Sequence, residues 1–219
     1  RIIELTAKRH RLPAVSWCWL ALGSEGRHEQ TFVTDQDNGL IFSAASPQEA
    51  DALRELFLPF AQDVNRQLAA CGFALCSGQI MAGNPAWCLS LDEWRGRFID
   101  WVRRPDPVAL LNASIFFDFR PLHGREELVA DLQRWLLQRV RGNAPFLRAM
   151  AVNALVQQVP LSWWRDFRVG GGPEFPHTVD LKGQGIRIFV DVLRIHALAQ
   201  GIEHTNTVER LLDPLRQGM

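Results

Sequence analysis

The 219-residue sequence has no excess of charge of either sign and no long apolar run. Its 24 Lys and Arg residues balance 24 Asp and Glu residues, so the net charge gives no reason to expect nucleic acid or an anionic membrane as a partner. The longest apolar stretches, such as residues 17–22, are far shorter than the roughly 20 residues that a membrane span requires. No signal peptide is recognisable, so we expect a cytoplasmic protein without nucleic-acid or membrane partners.

Cysteine and histidine are sparse and lack the spacing of disulfide or zinc sites. The four cysteines have mostly apolar neighbours and no C-x-x-C pair, which predicts reduced thiols in the core. The six histidines show neither H-x-x-H nor H-E-x-x-H spacing, which argues against zinc. Hydrophobic residues, by contrast, make up 47% of the chain, enough for a substantial core.

Residues 20–42, LALGSEGRHEQTFVTDQDNGLIF, contain the features that suggest chemistry. An apolar strand leads into Gly23-Ser24, and Asp35 and Asp37 precede a second apolar strand. Side chains two apart in a strand share a face, so the two carboxylates should lie side by side, as suits Mg²⁺ with its preference for hard oxygen ligands. A Gly-Ser turn offers backbone N–H groups and a hydroxyl to a phosphate. The stretch therefore predicts a nucleotide and metal site.

Each of these residues also has an alternative interpretation. The DQDN sequence around Asp35 and Asp37 is compatible with a polar turn held by Asx-type hydrogen bonds. Arg27 suits bidentate phosphate binding and is equally compatible with a solvated loop. Ser24 is not expected to be a hydrolase nucleophile, because its surroundings do not match G-x-S-x-G. The spacing between the Gly-Ser turn and the aspartates, with strands on both sides, favours the nucleotide site.

The same residues resemble a known family. Gly23-Ser24 followed by Asp-x-Asp resembles the nucleotidyltransferase fold shared by DNA polymerase beta, kanamycin nucleotidyltransferase and the PII-protein uridylyltransferases. GSEGR at 23–27, EQT at 29–31 and TDQDN at 34–38 resemble more closely the DUF294 type of nucleotidyltransferase, often joined to CBS and cyclic-nucleotide-binding domains. TVDLK at 178–182, with Arg194 further on, resembles the C-terminal substrate-binding domain of that family.

The resemblance implies transfer of a nucleoside monophosphate from an NTP to a hydroxyl group on a protein or small molecule, assisted by two Mg²⁺ ions. Asp35 and Asp37 would hold metal, and Asp118 would complete the catalytic site as a third carboxylate. An ion pair between Asp118 and Arg120 is the structural alternative. Gly23, Ser24 and Arg27 would bind the phosphates of the NTP.

The resemblance also bears on partners. A PII-like regulatory protein is the first acceptor to consider, and regulatory domains are expected outside this sequence. Asp180, Lys182 and Arg194 would contact substrate, or Asp180 would serve as a helix-start acid beside a solvated Lys182. Two other functions remain open: a non-catalytic nucleotide-binding regulatory module and a purely structural interaction domain.

The order of predicted elements is that of an α/β (α+β) fold. We expect residues 1–142 to form a nucleotidyltransferase domain with a mixed sheet, and residues 143–219 to form a truncated helical substrate-binding domain. A glycine-rich loop at 169–173, near Trp163-Trp164, would shape the acceptor site or simply join elements. Predicted strands cover residues 16–22, 73–76 and 112–120 and a segment after Asp37; predicted helices begin at Ser46 and Ser90 and cover residues 126–140, 145–158, 184–199 and 207–216.

Overall fold

The structure, a computed structural model, describes residues 1–31, 34–156 and 177–216. These residues form a four-stranded mixed sheet flanked by helices, followed by a helical C-terminal region, which confirms the predicted fold class. The elements are α1 (Ile2–Ala7), β1 (Trp17–Leu22), α2 (Gly23–Gly26), β2 (Asn38–Phe42), α3 (Pro47–Ala70), β3 (Cys88–Ser90), α4 (Leu91–Arg103), α5 (Pro107–Phe116), β4 (Phe119–Gly124), α6 (Glu126–Val140), α7 (Ala144–Leu155), α8 (Arg187–Gln200) and α9 (Thr207–Arg216).

The sheet has the strand order β3-β2-β1-β4, with β1 inside it. β1 pairs antiparallel with β2 and β4, and β2 pairs parallel with β3. Alternate side chains of β1 enter two cores: Leu20 and Leu22 pack with α4, α5 and α6, while Trp19 packs with α3. Both faces of β1 are therefore covered, and its end is held firmly where the chain turns at Gly23.

Several helix starts lie where the sequence predicts them. The Ser46 hydroxyl accepts a hydrogen bond from Glu49 N at 3.2 Å. At α4, Glu93 N donates to Ser90 Oγ at 3.3 Å and Ser90 N donates to Glu93 Oε2 at 2.8 Å, a complete capping box. The helices at 126–140 and 207–216 have the predicted bounds. Local capping chemistry therefore decides the helix starts at Ser46 and Ser90, whereas α6 begins without a side-chain cap at Arg125.

The predicted strand at 112–120 is wrong. Residues Pro107–Phe116 form α5, and β4 begins only at Phe119. The helix is favoured because the Asp106 side chain accepts from Ala109 N at 2.8 Å and Pro107 occupies the first turn. Tertiary burial of the apolar residues then outweighs their strand propensity.

Two other predicted boundaries differ from the structure. Residues 73–76 form no strand, and Ala74 makes only an isolated bridge to Asp35. A π-helical turn, Lys182–Ile186, precedes α8, which begins at Arg187 rather than at residue 184. The end of the helix predicted at 145–158, the loop at 169–173 and Trp163-Trp164 lie outside the described residues.

The C-terminal helices pack on the same core as the sheet. Phe146 and Met150 of α7 and Leu198 of α8 belong to the apolar cluster that contains Leu20 and Leu22. The domain boundary near residue 142 therefore remains a prediction. All four cysteines are free thiols; Cys71 is exposed, and the other three are buried as predicted. Among the described residues, no helix has the length and apolar character needed to cross a membrane.

Candidate active site

The Gly-Ser turn lies directly beside Asp37. Leu22 N, at the end of β1, donates to Asp37 O at 3.0 Å, because β1 ends where its antiparallel neighbour β2 begins. Gly23 follows with a φ of +56°, and a Cβ atom placed on it would lie 3.3 Å from Asp37 Oδ2. A side chain at this position would be strained in the backbone and crowded against the carboxylate. The fold thus brings together the turn and the carboxylate that the sequence predicts as one site.

Asp35, Asp37 and Cys76 form a group of ligand atoms that lie within 4.8 Å of one another. Asp35 is exposed, Asp37 is half-buried and Cys76 is buried. Burial raises the pKa of the Cys76 thiol, and the neighbouring Asp37 raises it further, so the thiol remains protonated near neutral pH. The two carboxylates are therefore the charged members of the group.

Cys76 is the member of this group that the sequence analysis missed. It lies 39 positions after Asp37, outside any C-x-x-C pair, in a loop with no regular element of its own. The isolated bridge between Asp35 and Ala74 brings that loop to the acidic pair. No spacing rule links positions joined by a single bridge, so only the folded chain reveals this neighbour.

A buried amide network fixes the direction of the acidic pair. Gln36, between the two aspartates, donates to Asn65 O at 3.0 Å and to Phe73 O at 2.9 Å. Asn65 donates to Gln36 Oε1 at 2.8 Å and to Asn38 Oδ1 at 3.0 Å. Because alternate side chains point to opposite sides, anchoring Gln36 and Asn38 against α3 directs Asp35 and Asp37 the other way.

A cleft of about 400 Å³ opens beside the turn. Gly23, Ser24 and Arg27 line it from the sheet side, and α5 forms a second wall. The C-terminal region supplies a third wall. The remaining lining residues are Leu111, Ser114 and Ile115 from α5, and Asp180, Gly183, Ile186, Arg187, Val190, Asp191 and Arg194 from the C-terminal region.

The structure places Asp118 in a different environment from the acidic pair. Its carboxylate is fully buried and accepts from Arg27 Nη1 at 2.8 Å, from Arg194 Nε and Nη2 at 2.9 and 2.7 Å, and from Arg210 Nη2 at 2.7 Å. Within the described chain, Asp118 is not part of the ligand group formed by Asp35, Asp37 and Cys76. Both of its oxygens are engaged by guanidinium groups, so this geometry gives no support to the predicted metal role.

Arg120, the alternative partner predicted for Asp118, contacts Glu25 in the structure. Arg120 Nε donates to Glu25 O at 2.9 Å, next to the Gly-Ser turn. Burial by itself would raise the pKa of Asp118, but the charges of Arg194, Arg210 and Arg27 outweigh burial and hold that pKa well below its usual range. Asp118 is therefore the ionised centre of a buried ion cluster near neutral pH.

The other side chains of this cluster balance its charge. Arg27 Nε donates to Glu29 Oε2 at 2.7 Å, and Arg194 Nη1 pairs with Asp191. Burial lowers the pKa of Arg194, but Asp118 and Asp191 outweigh it and raise the pKa overall. Arg27 thus lines the cleft while two carboxylates hold its guanidinium in place.

A strand, a Gly-Ser turn and an adjacent acidic pair therefore lie together in a mixed α/β fold, as the sequence motifs predict. Residues 1–108 match the family described as "Putative nucleotidyltransferase DUF294", and residues 144–219 match the "Putative nucleotidyltransferase substrate binding domain". The chain belongs to the DUF294 family, as its sequence motifs predict, and this membership supports a general nucleotidyltransferase role. Searches of curated proteins and of solved structures gave no significant match.

Proposed function

We propose that this chain is a Mg²⁺-dependent nucleotidyltransferase that moves a nucleoside monophosphate from an NTP to a hydroxyl group of a protein or small-molecule acceptor in signal transduction. One observation carries the proposal. The Gly23-Ser24 turn lies against the Asp37 carboxylate, with a Gly23 Cβ position only 3.3 Å from Asp37 Oδ2, and the turn opens into a cleft. The N–H groups that would bind phosphate and the oxygens that would bind metal therefore lie side by side, where β1 ends and β2 begins.

The turn would bind the triphosphate. Gly23 and Ser24 offer backbone N–H groups and a hydroxyl along one side of the cleft. Arg27 brings an ordered guanidinium group to the cleft, because Glu29 and Asp118 fix its position. Binding groups that are already ordered lose less conformational entropy when the ligand arrives.

Asp35 and Asp37 fit a divalent cation. Their carboxylate oxygens approach within 4.8 Å of each other, and Mg²⁺ commonly takes one or two protein carboxylates together with substrate phosphates. When bound, Mg²⁺ would neutralise charge on the phosphate oxygens, and two ions remain our prediction for transfer. The protonated Cys76 thiol is a poor ligand for Mg²⁺ and would serve to hold Asp37 in place.

The acceptor would enter from the C-terminal wall of the cleft. Asp180, Arg187 and Asp191 lie on this wall. Asp180 Oδ1 accepts from Gly183 N at 2.8 Å, so it also serves as the predicted helix-start acid. We propose that residues 143–219 bind the acceptor, with a PII-like protein as the first candidate, and that residues 1–142 bind the NTP in the cytoplasm.

A second candidate function is a non-catalytic nucleotide-binding module that regulates a larger protein with CBS or cyclic-nucleotide domains. The observation that favours it is the engagement of Asp118 by three arginines, which leaves two carboxylates at the predicted metal site. An enzyme must release pyrophosphate from the NTP when its acceptor is present. A regulatory module binds the NTP and releases none.

Thermal unfolding with each of the four NTPs, with and without Mg²⁺, tests the binding step. Ligand at 100 times its dissociation constant adds about 2.7 kcal/mol to the free energy of unfolding. The effect should need Mg²⁺ and should disappear in the Asp35→Asn, Asp37→Asn double variant.

The matched control is the Asp92→Asn, Asp131→Asn double variant, which makes the same substitutions at two exposed surface ion pairs. This control should keep the full response to Mg²⁺ and NTP. A wild-type protein that responds to none of the four NTPs would contradict the proposal. Pyrophosphate release in the presence of candidate acceptors then separates the enzyme from the regulatory module.

A further inference from the structure

The segment at residues 204–210, which we call the clasp, returns from the C-terminal end of the chain to the Gly-Ser turn. Thr205 Oγ1 donates to Gly26 O at 2.8 Å, although the two residues are 179 positions apart. Asn206 Nδ2 donates to Arg27 O at 2.9 Å. Thr207 N donates to the Glu29 carboxylate at 2.7 Å. Three consecutive clasp residues thus contact the turn and the residues that follow it.

The buried ion cluster around Asp118 provides a second connection between the clasp and the turn. Arg210 Nε donates to His204 O at 2.7 Å, and Arg210 Nη2 donates to Asp118 at 2.7 Å. Asp118 in turn accepts from Arg27, so the clasp holds Arg27 through its backbone carbonyl and through its side chain. Gly26 fits closely over this cluster, because a Cβ on Gly26 would lie 2.0 Å from Asp118 O.

The turn cannot hold its own shape. α2 has only four residues, and an isolated helix of one turn is unstable in water. Positive φ angles occur at its first residue, Gly23 (+56°), and two residues beyond its end, at His28 (+58°). A non-glycine residue in that region costs about 1 kcal/mol or more, which surrounding contacts must offset. The clasp supplies such contacts on the C-terminal side of the turn.

We propose that Thr205 and Asn206, together with Arg194 and Arg210, are positioning residues that preorganise the Gly-Ser turn for the triphosphate of an NTP. The inference rests on the proposed function, because it assigns the turn to phosphate binding. It goes further because it makes NTP binding depend on the C-terminal region, which also lines the cleft. Displacement of the clasp would then weaken NTP binding without any change in the residues that contact the NTP.

The test uses the Thr205→Val, Asn206→Asp double variant. Valine keeps the shape of threonine but cannot donate to Gly26 O. Aspartate still accepts from Val208 N and Glu209 N, as Asn206 does at 3.0 and 3.1 Å, so α9 keeps its cap while the donor to Arg27 O is lost. Arg194 and Arg210 remain in place, which protects the folded core from a buried unpaired charge.

Two matched controls accompany the double variant. Thr205→Ser retains the hydroxyl and should rescue the turn. Asn143→Asp makes the same amide-to-acid change at the cap of α7, where Asn143 Oδ1 accepts from Phe146 N at 3.2 Å. If the double variant fails to fold, the single Thr205→Val variant takes its place, because it changes neither charge nor shape.

Two measurements follow on each protein. Hydrogen exchange reports backbone protection at residues 22–29, and calorimetry reports the dissociation constant of Mg²⁺ with the NTP identified by thermal unfolding. We expect about tenfold faster exchange at the turn, unchanged exchange in α6, and about tenfold weaker NTP binding in the double variant. Both controls should match the wild type.

The outcomes separate this inference from the function on which it rests. Unchanged exchange at the turn, or equal NTP affinity of the wild type and the double variant, would overturn the positioning role. A wild type that binds no NTP while its variants show faster exchange at the turn would overturn the proposed function and support the hold of the clasp on the turn.

Discussion

Asp35 and Asp37 differ sharply from Asp118, although the sequence presents all three as members of one site. The pair lies just before the start of β2, with Asp35 exposed and Asp37 half-buried beside the Gly-Ser turn. Asp118 lies fully buried, and three arginines donate to its carboxylate. Solvent reaches Asp35 and part of Asp37, so a cation can approach this pair from solution. The positive charges beside Asp118 belong to arginines of the protein itself.

The comparison shows that the partners of a carboxylate decide its role. A buried carboxylate is costly unless donors and opposite charges surround it, and the C-terminal region supplies these to Asp118 through Arg194 and Arg210. The acidic pair is held from behind by amides at Gln36 and Asn65, which carry no charge. One group of residues ties the C-terminal region to the sheet, and the other orders the acidic pair that we propose as a metal site.

The largest expected effect is on stability, from Asp118→Asn. The change leaves the buried guanidinium groups of Arg194 and Arg210, and the partly buried one of Arg27, without their shared negative charge, and breaking a buried ion pair costs about 3–5 kcal/mol. Denaturant unfolding measures this loss. Asp92→Asn, at a surface pair that is largely exposed, should cost under about 0.5 kcal/mol. Equal costs at the two sites would show that the buried cluster is no more than another surface pair.

Next is the acidic pair, where binding rather than stability should change. We expect Asp37→Asn to weaken Mg²⁺-dependent NTP binding by about 100-fold or more, and Asp35→Asn to weaken it less, because Asp37 lies against the phosphate turn. Calorimetric titration measures both. Neither variant should destabilise the fold as Asp118→Asn does. A larger loss for Asp35→Asn would reverse our assignment within the pair.

Gly23→Ala connects the turn with the acidic pair. Alanine at a φ of +56° costs about 1–2 kcal/mol, and its Cβ would crowd Asp37 Oδ2. Thermal unfolding and NTP binding should both decline. Gly96→Ala is the matched control: it lies inside α4 with open space around it and should stabilise the protein by up to about 1 kcal/mol. If Gly23→Ala left NTP binding unchanged, NTP binding would not depend on the close approach of Gly23 to Asp37.

The contribution of Asp118 to the free energy of unfolding should change only at low pH. The folded pKa of Asp118 is depressed, so its contribution is fully present above the unfolded pKa of about 3.9 and is lost as the pH falls toward the folded pKa. The difference in unfolding free energy between the wild type and Asp118→Asn should stay constant from pH 7 to about pH 5. It should narrow below about pH 4. A difference that narrows near neutral pH would contradict the depressed pKa.

Cys76→Ser should have the smallest effect. Mg²⁺ prefers hard oxygen ligands, and the Cys76 thiol is protonated, so Mg²⁺-dependent NTP binding should change by less than about threefold. The same calorimetric titration measures it. A loss comparable with that of Asp37→Asn would make the thiol a full member of the metal site.

Features of this molecule were predictable from sequence where the relevant forces act over short distances along the chain. The Gly-Ser turn and the acidic pair are separated by one excursion between two antiparallel strands, so pairing of β1 with β2 is enough to bring them together. The capping box at Ser90 and the cap at Ser46 are local in the same way. Their hydrogen bonds form within a single helical turn.

The prediction failed where distant contacts compete with local propensity. Residues 112–116 have strand-like composition, yet the Asp106 cap and burial against the core make them helical. The sequence predicts a metal ion or Arg120 as the partner of Asp118, because the arginines that contact it lie 76 to 92 positions away in the sequence. No local pattern marks Arg194 or Arg210 as partners of Asp118.

The sequence by itself determined the family and the mixed α/β class and predicted the Gly-Ser turn and the acidic pair as one site, because short-range patterns encode backbone geometry and ligand type. Only the tertiary structure decided which carboxylates face solvent and which are enclosed by arginines. It also joined Cys76 to the acidic pair and the clasp to the turn. Charge compensation in a core depends on which distant segments meet there, and packing of the whole chain decides that.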